Sequence, residues 1–295
     1  MMKRFKKVYI EITNVCNLKC DFCIQNRRKA AFMEMAHFRR IIDEVKGYTD
    51  HVYFHLLGEP LLAPELEGFL SYCEEADLRV NLTTNGTLVG NRKDILLSSK
   101  SLRKMSFSLH SYEANLAMIP FEMYLSGILD FIREASAKGI ICEMRLWNLD
   151  SGQLKGRNEE NDRILDYITE SLGLPDIEEM NVTQNGKRGL KLMENVYLGF
   201  QEKFQWPELE VLGGTTSQQA FCLGLRDQIG ILVDGTVVPC CLDSQGTIRL
   251  GNIHDAPLQA ILASERARGI YDGFTARKPV EALCASCSYA RRFQG

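Results

Sequence analysis

The chain predicts an α/β fold with a parallel sheet, arranged as a partial (β/α)6 TIM-like barrel. Over roughly the first 200 residues, short segments with strand-like alternation are separated by amphipathic segments with helical spacing. Glycines and an Asn-Gly pair mark the ends of several of these segments. Because a strand that follows an intervening helix returns parallel to the strand before it, this order predicts right-handed βα units.

Six strands are predicted from the alternating segments. The third ends at Asn85-Gly86, which is a turn signal. In parallel β/α folds the chemistry lies at the carboxyl ends of the strands, so the loops after them are expected to form the site. The predicted strands are Val8–Thr13, His51–Leu57, Arg79–Thr84, Lys104–His110, Ile140–Trp147 and Met180–Thr183.

Five helices are predicted between these strands. The last two end at Gly139 and Gly173, because glycine readily adopts the left-handed conformation that closes many helices. The predicted helices are Ala36–Lys46, Pro64–Ala76, Arg92–Ser99, Phe121–Lys138 and Asn158–Leu172.

Composition and charge exclude several classes of function. Of the 295 residues, 45% are hydrophobic and 25% are charged, which is ordinary for a globular protein in water. A net charge of −3 gives no electrostatic basis for binding nucleic acid or an anionic membrane. No segment reaches the roughly 18 apolar residues that a membrane span needs, and no apolar core follows the basic N-terminus. We therefore expect a cytoplasmic protein.

A change of composition near Gly213 predicts a second, smaller domain. Residues 213–217 read Gly-Gly-Thr-Thr-Ser, which is typical of a linker, and Asp234-Gly235 predicts a two-residue hairpin turn. This segment is too poor in core residues to fold without a further crosslink, such as a metal site. The predicted elements are a hairpin of Ile229–Val233 and Thr236–Cys240 and a helix over Ala256–Ala267, and the predicted domains are residues 1–212 and 213–295.

Ten cysteines require an explanation, because a reducing cytosol disfavours structural disulfides. Clustered cysteines in that setting indicate metal or redox chemistry first. Eight of the ten fall into two groups, one near each end of the chain. Cys73 and Cys142 lie alone in apolar surroundings, and we interpret both as small buried hydrophobic residues.

The first group, Cys16, Cys20 and Cys23, directly follows the first predicted strand. Three thiolates on one short loop can bind three irons of a 4Fe–4S cluster and leave the fourth iron open for a small molecule. Zinc is the alternative, but this spacing lacks the paired CxxC geometry and a fourth ligand nearby. His37 lies too far along the chain, inside a predicted helix.

The second group combines Cys222 and Cys240 with a terminal pair, Cys284 and Cys287, in a CxxC spacing. These four cysteines form a complete ligand set, either for a second iron–sulfur cluster or for zinc. Cys241 is adjacent to Cys240, and neighbouring residues rarely reach one cluster together. We therefore interpret Cys241 as structural or as a neighbour of the ligands.

The pattern Cys16-x3-Cys20-x2-Cys23 after a first strand resembles the signature of the radical S-adenosylmethionine (SAM) superfamily. This resemblance implies a 4Fe–4S cluster and SAM as cofactors. It also implies that SAM is cleaved to a radical that takes hydrogen from an unactivated C–H bond, with the protein positioning the substrate. A reductant of the flavodoxin or ferredoxin type is implied by the need for low-potential electrons.

The resemblance extends to positions beyond the cysteines. It implies that Phe22 packs near the adenine and that Gly58-Glu59-Pro60, after the second strand, holds the methionine amino group. Relatives commonly have Gly-Gly-Glu-Pro here, whereas this chain has Leu57 in place of the first glycine. The remaining positions implied as SAM contacts are Thr84, Asn85, Ser108 and Arg145.

The C-terminal pattern C-x12-G-x4-C followed by C-x2-C resembles the twitch domain, the half-length form of the SPASM domain. The resemblance implies that Cys222, Cys240, Cys284 and Cys287 hold one auxiliary 4Fe–4S cluster. A full SPASM domain would need further cysteines after Cys287, so twitch is the closer match. A cluster closed by four cysteines cannot bind substrate through iron, so we expect it to accept the electron left after hydrogen abstraction and give a net two-electron oxidation. Electron shuttling to the first cluster is the alternative, because it would use the same ligands.

Polar side chains near the predicted strand ends are candidates for contact with the substrate. Strand alternation would aim them into the barrel, where a base or a polar clamp is needed. A polar residue that lines a barrel is often only hydrogen-bonded by its neighbours. The candidates are Glu11, His55, His110 and Glu143, with Asp243 as a weaker one.

Three functions remain open. The first is an oxidoreductase acting on a sugar- or cyclitol-like small molecule; the second is a peptide or protein maturase; the third is an electron carrier without catalysis. The Gly58-Glu59-Pro60 segment argues against the third, because a carrier needs no methionine site. Peptide maturases often carry a leader-binding domain before the barrel, and only about fifteen residues precede Cys16, which favours the first.

Overall fold

The structure is a computed structural model that describes residues 4–115, 119–149, 159–175, 189–202, 206–207 and 219–290. By its packing the chain divides into two compact units, each drawn from separate parts of the sequence. The predicted domain boundary at residues 212 and 213 lies outside the described residues. The first unit consists of Met1–Asn17, Cys23–Val80 and Phe204–Gly295, and the second of Leu18–Phe22 and Asn81–Lys203.

Strands and helices are numbered in chain order over the described residues. The strands are β1 (Lys7–Ile10), β2 (His51–Phe54), β3 (Arg79–Thr84), β4 (Leu102–Ser108), β5 (Ile141–Leu149), β6 (Gly189–Met193), β7 (Val196–Glu202), β8 (Gln228–Ile231), β9 (Thr236–Val238) and β10 (Gly251–Asn252). The helices are α1 (Met35–Val45), α2 (Leu66–Glu75), α3 (Val89–Ser98), α4 (Phe121–Ala137), α5 (Glu159–Leu172), α6 (Leu258–Leu262), α7 (Glu265–Thr275) and α8 (Ala282–Ser286).

The first unit joins strands from both ends of the chain. β1 is parallel to β2 on one side and to β8 on the other, with Val8 opposite both Val52 and Ile229. β9 and β10 continue beyond β8 as antiparallel strands. The β8–β9 hairpin is therefore part of the same sheet as the N-terminal strand that precedes the first cysteine group.

Aromatic packing fixes α1 and α2 against the strands of the first unit. The rings of Phe38 on α1 and Phe69 on α2 stack at 4.3 Å, and Phe38 meets Phe54 of β2 edge-on at 5.7 Å. All three side chains are fully buried. Burying an aromatic side chain of this size contributes about 1.5 to 3 kcal/mol each.

The second unit contains β3 from Asn81 onward, followed in sheet order by β4, β5, β7 and β6. β4 is parallel to β5 and β5 is parallel to β7, whereas β6 is antiparallel to β7. Phe107 of β4 packs edge-on against Phe131 of α4 at 5.9 Å. These contacts hold the carboxyl ends of β4 and β5, and with them Ser108 and Arg145, in register.

The alternation of the first five strands and five helices is confirmed, with ends that move by a few residues. The predicted strand Met180–Thr183 lies outside the described residues. The β6–β7 hairpin was not predicted; its turn places Asn195 in the left-handed region at φ 59°, and the alternating Val196–Phe200 segment was its sequence signal.

Two predictions for the C-terminal segment were wrong in detail. The predicted helix Ala256–Ala267 is two helices, because the side chain of Ser264 caps a new helix by accepting from the backbone N–H of Ala267. The hairpin turn holds three residues, since the N–H of Leu232 donates to Thr236 O at 2.9 Å. Gly235 supplies the left-handed residue of this turn at φ 83°.

No helix in the described ranges is both long and apolar enough to cross a bilayer.

Candidate active site

The loop that carries the first cysteine group is closed at its base by strand-like contacts. Thr13 and Phe32 form an antiparallel bridge. Next to it, the Asn14 side chain makes two hydrogen bonds to the backbone of the opposite segment. Its Nδ2 donates to Lys29 O at 2.9 Å, and its Oδ1 accepts from the N–H of Ala31 at 2.8 Å. Because Asn14 is buried, these hydrogen bonds are protected from water and fix both ends of the loop.

Glu11, a predicted substrate contact, lies just after β1 and is 1% exposed. Its carboxylate forms an ion pair with Arg28 and accepts from the backbone N–H of Val233 at 3.0 Å. Burial raises the pKa of Glu11, and these donors, together with the backbone of Leu57, oppose that rise. This arrangement favours a structural role for Glu11, because its oxygens are committed to partners in the protein.

Gly58 stands where only glycine fits. Its φ is +76°, and a Cβ added there would lie 2.5 Å from Thr13 O and 2.9 Å from Val15 O, which are backbone atoms that cannot move aside. The next residue, Glu59, donates its N–H to Val15 O at 2.8 Å. The predicted Gly58-Glu59-Pro60 segment is thus packed directly against the start of the cysteine loop.

The departure at Leu57 preserves the local backbone. Leu57 is buried, and its backbone still hydrogen-bonds with the Glu11 carboxylate. The carboxylate of Glu59 is buried and accepts from the N–H of Leu61 at 3.0 Å, which closes the short turn that begins at Pro60. A side chain at position 57 is therefore accommodated without loss of these hydrogen bonds.

In the second unit, Asn115 contacts the middle cysteine. Its Nδ2 donates to Cys20 Sγ at 3.2 Å and to Ser111 O at 2.8 Å. An N–H donor to sulfur stabilises a thiolate and tunes an iron–sulfur cluster. Asn115 was missed by sequence reasoning, because no motif marks a residue so far along the chain from the cysteines.

Phe22 and His110 are brought together in the same unit, with ring centroids 4.8 Å apart. His110 lies in a short 3-10 turn after β4, and its Nδ1 is 3.1 Å from Arg145 O. Burial lowers the pKa of His110 to about 4, so the imidazole is neutral at physiological pH. The two rings are tilted by 51° to each other, so the neutral His110 ring packs against Phe22 at an angle.

Glu143 and Arg145, on alternate positions of β5, form a charged group with Lys104. The Glu143 carboxylate accepts from Arg145 Nε at 2.7 Å and from Lys104 Nζ at 3.0 Å. Burial alone would raise the pKa of Glu143, but the two cations outweigh it and hold the pKa below its usual range. Arg145 is also stacked over Trp147 at 4.4 Å, so its guanidinium is held from two sides.

Three further predicted SAM contacts lie at strand ends of the second unit. Thr84 accepts from the N–H of Gly86 at 3.0 Å, and Asn85 Oδ1 accepts from the N–H of Thr87 at 3.0 Å, so both side chains shape the turn after β3. Tyr124 of α4 donates its hydroxyl to Asn85 O at 2.8 Å. Ser108 is the last residue of β4.

The four cysteines of the second group converge in the first unit. Cys222, Cys284 and Cys287 each interact electrostatically with Cys240, which lies in the β-hairpin segment. Backbone N–H groups of Leu223 and Gly224 point at the Cys222 sulfur. Burial raises the pKa of Cys222 and Cys240, which favours neutral thiols, so a bound cation would be needed to stabilise thiolates here.

The chemistry of this donor set suits an iron–sulfur cluster. A 4Fe–4S cluster is bound by cysteine thiolates, and four of them complete its ligand set. Among the described residues, no group of three His, Cys, Asp or Glu side chains is placed to hold a single metal ion.

Asp243 and Gln245 shape the loop after Cys240 and Cys241. The two carboxylate oxygens of Asp243 accept from the N–H groups of Thr247 and Ile248, both at 2.8 Å, and burial raises its pKa to about 6. Gln245 reaches the segment after Cys23: its Nε2 donates to Gln25 O at 2.9 Å. Sequence reasoning missed Gln245, since a lone glutamine carries no motif.

The remaining cysteines and histidines have separate surroundings. Cys241 hydrogen-bonds with the Tyr9 hydroxyl of β1, which supports its interpretation as a neighbour of the ligands. The His55 ring is half-buried, 6.1 Å from the Tyr9 ring. Cys73 and Cys142 are fully buried, and burial raises the pKa of both thiols, so they are inert hydrophobic residues as predicted.

A parallel α/β fold with a three-cysteine loop after its first strand and a separate four-cysteine site defines an iron–sulfur enzyme. Comparison with protein families names the group: the radical SAM superfamily matches residues 10–150, and the SPASM iron-sulfur cluster-binding domain matches residues 222–288. The chain belongs to the radical SAM superfamily and carries a C-terminal SPASM-like domain. Its cofactors are accordingly SAM and 4Fe–4S clusters.

Two curated relatives differ in reaction. A probable GTP 3′,8-cyclase of Methanocella arvoryzae is 25% identical over 288 residues, covering 88% of this chain and 89% of the relative. The S-adenosyl-L-methionine-dependent 2-deoxy-scyllo-inosamine dehydrogenase of Niallia circulans is 24% identical over 118 residues, which is 38% of this chain and 47% of that protein.

A solved structure supports the fold over the whole chain. BtrN in complex with AdoMet and 2-DOIA superimposes with a TM-score of 0.60 at 16% identity, covering 98% of this chain and 94% of BtrN. At this identity the similarity establishes the fold alone. The predicted partial TIM-like barrel is thereby confirmed.

Gly58→Ala is expected to lower the free energy of unfolding by on the order of 2 kcal/mol, because alanine is strained at positive φ and its Cβ meets two backbone oxygens. Urea denaturation measures this change. Gly90→Ala is the matched control, since Gly90 lies in helix α3 with nothing within 4 Å of an added Cβ, and should stabilise by up to about 1 kcal/mol. Equal stability of wild type and Gly58→Ala would contradict the steric argument.

His110 should make stability depend on pH. Below pH 6.5 the unfolded chain protonates His110, whereas the folded protein resists protonation until about pH 4. The neutral imidazole therefore contributes up to about 3 kcal/mol above pH 6.5, and this contribution is lost as the pH falls towards 4. Urea denaturation at several pH values between 4 and 7 measures the free energy of unfolding. This free energy should change less with pH in His110→Asn than in wild type, and an equal change in both would contradict the lowered pKa of His110.

Proposed function

We propose that this chain is a radical SAM dehydrogenase that oxidises a sugar- or cyclitol-like alcohol by two electrons. One observation carries the proposal: a three-cysteine loop after β1, suited to an open-iron cluster, is combined in one chain with a site of four cysteines, one of them buried and three half-buried. A simple carrier would not need both kinds of site, and a simple SAM-cleaving enzyme would need only the first.

Seven cysteines would hold the two clusters. The open-iron cluster would be bound by Cys16, Cys20 and Cys23, and the auxiliary cluster by Cys222, Cys240, Cys284 and Cys287. When bound, SAM and the clusters would supply two things: a 5′-deoxyadenosyl radical that takes a hydrogen atom from the substrate, and an acceptor for one electron from the substrate radical that remains.

The chain's own residues would orient SAM. The rigid backbone at Gly58 sets the path of Glu59 and Pro60, so this segment presents a fixed surface to the methionine amino group. Phe22, backed by the neutral His110 ring, offers an apolar face for adenine. Further polar contacts would come from strand ends: Thr84, Asn85, Ser108 and Arg145.

Arg145 is suited to bind a carboxylate, because its guanidinium is already held in place. Glu143 holds the Nε edge and Trp147 covers one face, so little side-chain entropy remains to be lost on binding. We therefore propose Glu143 as a positioning residue for Arg145 in place of a catalytic base. Its three donors, Lys104, Arg145 and Ser106, keep it ionised.

The proton of the oxidised hydroxyl needs an acceptor. Glu11 is committed to Arg28 and Val233, and His110 is a weak base at a pKa of about 4. His55 is half-buried directly after β2 and, of the four main candidates, is the one that these constraints leave for this role.

Alcohol oxidation is favoured over other reactions by the auxiliary site. Four cysteines closing one cluster leave no iron for substrate, so its suitable role is electron acceptance, which a dehydrogenase requires and a redox-neutral cyclisation does not. The dehydrogenase relative from Niallia circulans supports this choice.

The proposal is tested with anaerobically reconstituted protein, dithionite and SAM. Wild type and the matched control Cys73→Ala should bind about eight irons and form 5′-deoxyadenosine, because two 4Fe–4S clusters are proposed and Cys73 is not among their proposed ligands. Cys16→Ala should form none. With an aminocyclitol deuterated at the oxidised carbon, deuterium should appear in 5′-deoxyadenosine, and His55→Gln should lower product formation while deoxyadenosine still forms.

Two results would reject parts of the proposal. Absence of deoxyadenosine in loaded wild type would reject SAM cleavage altogether. Deuterium transfer from a labelled peptide, but from no cyclitol or sugar alcohol in the panel, would replace the dehydrogenase by a peptide maturase.

A further inference from the structure

A surface cleft in the first unit lies apart from the residues assigned so far. It has a volume of about 330 Å³ and opens to solvent. Two of its residues, Arg4 and Arg268, are exposed cations, and Tyr48 and Tyr271 supply aromatic faces. The polar and aromatic lining consists of Arg4, Tyr48, Gln259, Arg268, Tyr271 and Asp272.

A continuous stack of arginine and aromatic side chains connects this cleft to the auxiliary site. It starts at Phe221, the residue next to the predicted ligand Cys222, and Arg226 lies 5.6 Å from the Phe221 ring. Arg226 then stacks on Tyr271 at 4.3 Å, and Arg4 lies 6.0 Å from the same Tyr271 ring. Tyr271 and Arg4 are thus both the last members of the stack and part of the cleft wall.

Hydrogen bonds hold the stack rigid. Arg226 donates to the Tyr271 hydroxyl at 3.0 Å and to Thr275 Oγ1 at 2.6 Å. Arg4 donates to Leu225 O at 3.1 Å, three residues from Cys222. Because these arginines are fixed by neutral partners, their charges are not cancelled by acids within the stack.

The cleft is locally positive on a chain of net charge −3. The charged residues that line it are two cations, Arg4 and Arg268, and one acid, Asp272. Arg226 adds a positive charge behind Tyr271, whereas the neighbouring Lys6 is neutralised by its ion pair with Asp227 at 2.7 Å. A positive patch of this kind steers a negatively charged protein surface into contact, and the attraction weakens as salt is added.

We propose that this cleft docks an acidic one-electron carrier protein, which in its oxidised form takes the electron from the reduced auxiliary cluster. One electron leaves the cluster and one enters the carrier, with no bond made or broken. The inference rests on the proposed function, because it requires an auxiliary cluster at Cys222. Beyond that function, the cleft would be the place where the electron from each substrate oxidation leaves the protein.

The test measures binding of the loaded enzyme to oxidised flavodoxin, an acidic one-electron carrier, by isothermal titration calorimetry at low and high salt. Arg4→Glu/Arg268→Glu should weaken binding at least tenfold at low salt and flatten the salt dependence. Arg4→Gln/Arg268→Gln should have an intermediate effect. The matched control is Lys46→Glu/Lys191→Glu, which makes the same change in net charge at exposed residues outside the cleft and should bind like wild type.

A second readout separates this inference from the proposed function. Dithionite is small and needs no docking surface, so deoxyadenosine formation with dithionite should be equal in wild type and all three variants. Failure of that reaction in wild type would reject the proposed function. If it succeeds while flavodoxin does not bind wild type, or binds the Arg4→Glu/Arg268→Glu variant as tightly, the docking site is wrong and the proposed function stands.

Discussion

The stability of the first unit depends on the contacts that the buried carboxylate of Glu11 makes. Among the described residues, it is contacted by donors from three segments distant in sequence: Arg28 after the cysteine loop, the N–H of Val233 in the C-terminal hairpin, and the backbone of Leu57 before Gly58. An unpaired charge so deeply buried would cost several kcal/mol, so the segments are stable only together.

Within the first unit, the C-terminal cysteine segment is joined to the N-terminal strand by backbone and side-chain hydrogen bonds. β8 pairs with β1 along its length, and Val233, just beyond β8, contacts Glu11, just beyond β1. Gln245 adds a second connection, since it holds Gln25 O and the N–H of Arg27 in the segment after Cys23. The segment that follows Cys23 is therefore positioned by residues of the C-terminal cysteine segment.

Local patterns in the sequence predicted most of the fold and the chemistry. The strand–helix alternation, the cysteine spacings and Gly58 are properties of neighbouring residues. The structure confirms the alternation and places Gly58 at a positive φ, and the cysteine segments lie within the matches to the radical SAM and SPASM families. Contacts between distant segments carry no such signal. Asn115 at Cys20, Gln245 at Gln25 and the pairing of β8 with β1 depend on tertiary packing, and the β6–β7 hairpin has only weak alternation.

In the proposed function, Cys16, Cys20 and Cys23 alone hold the cluster that binds SAM. Electron–nuclear double resonance with SAM labelled with ¹⁵N at its amino group tests this directly on the reduced protein. Nitrogen coupling to the cluster should persist when Cys222, Cys240, Cys284 and Cys287 are replaced by alanine and disappear when Cys16, Cys20 and Cys23 are replaced. Coupling that survives loss of the N-terminal cysteines, or is lost with only the C-terminal ones, would contradict the account.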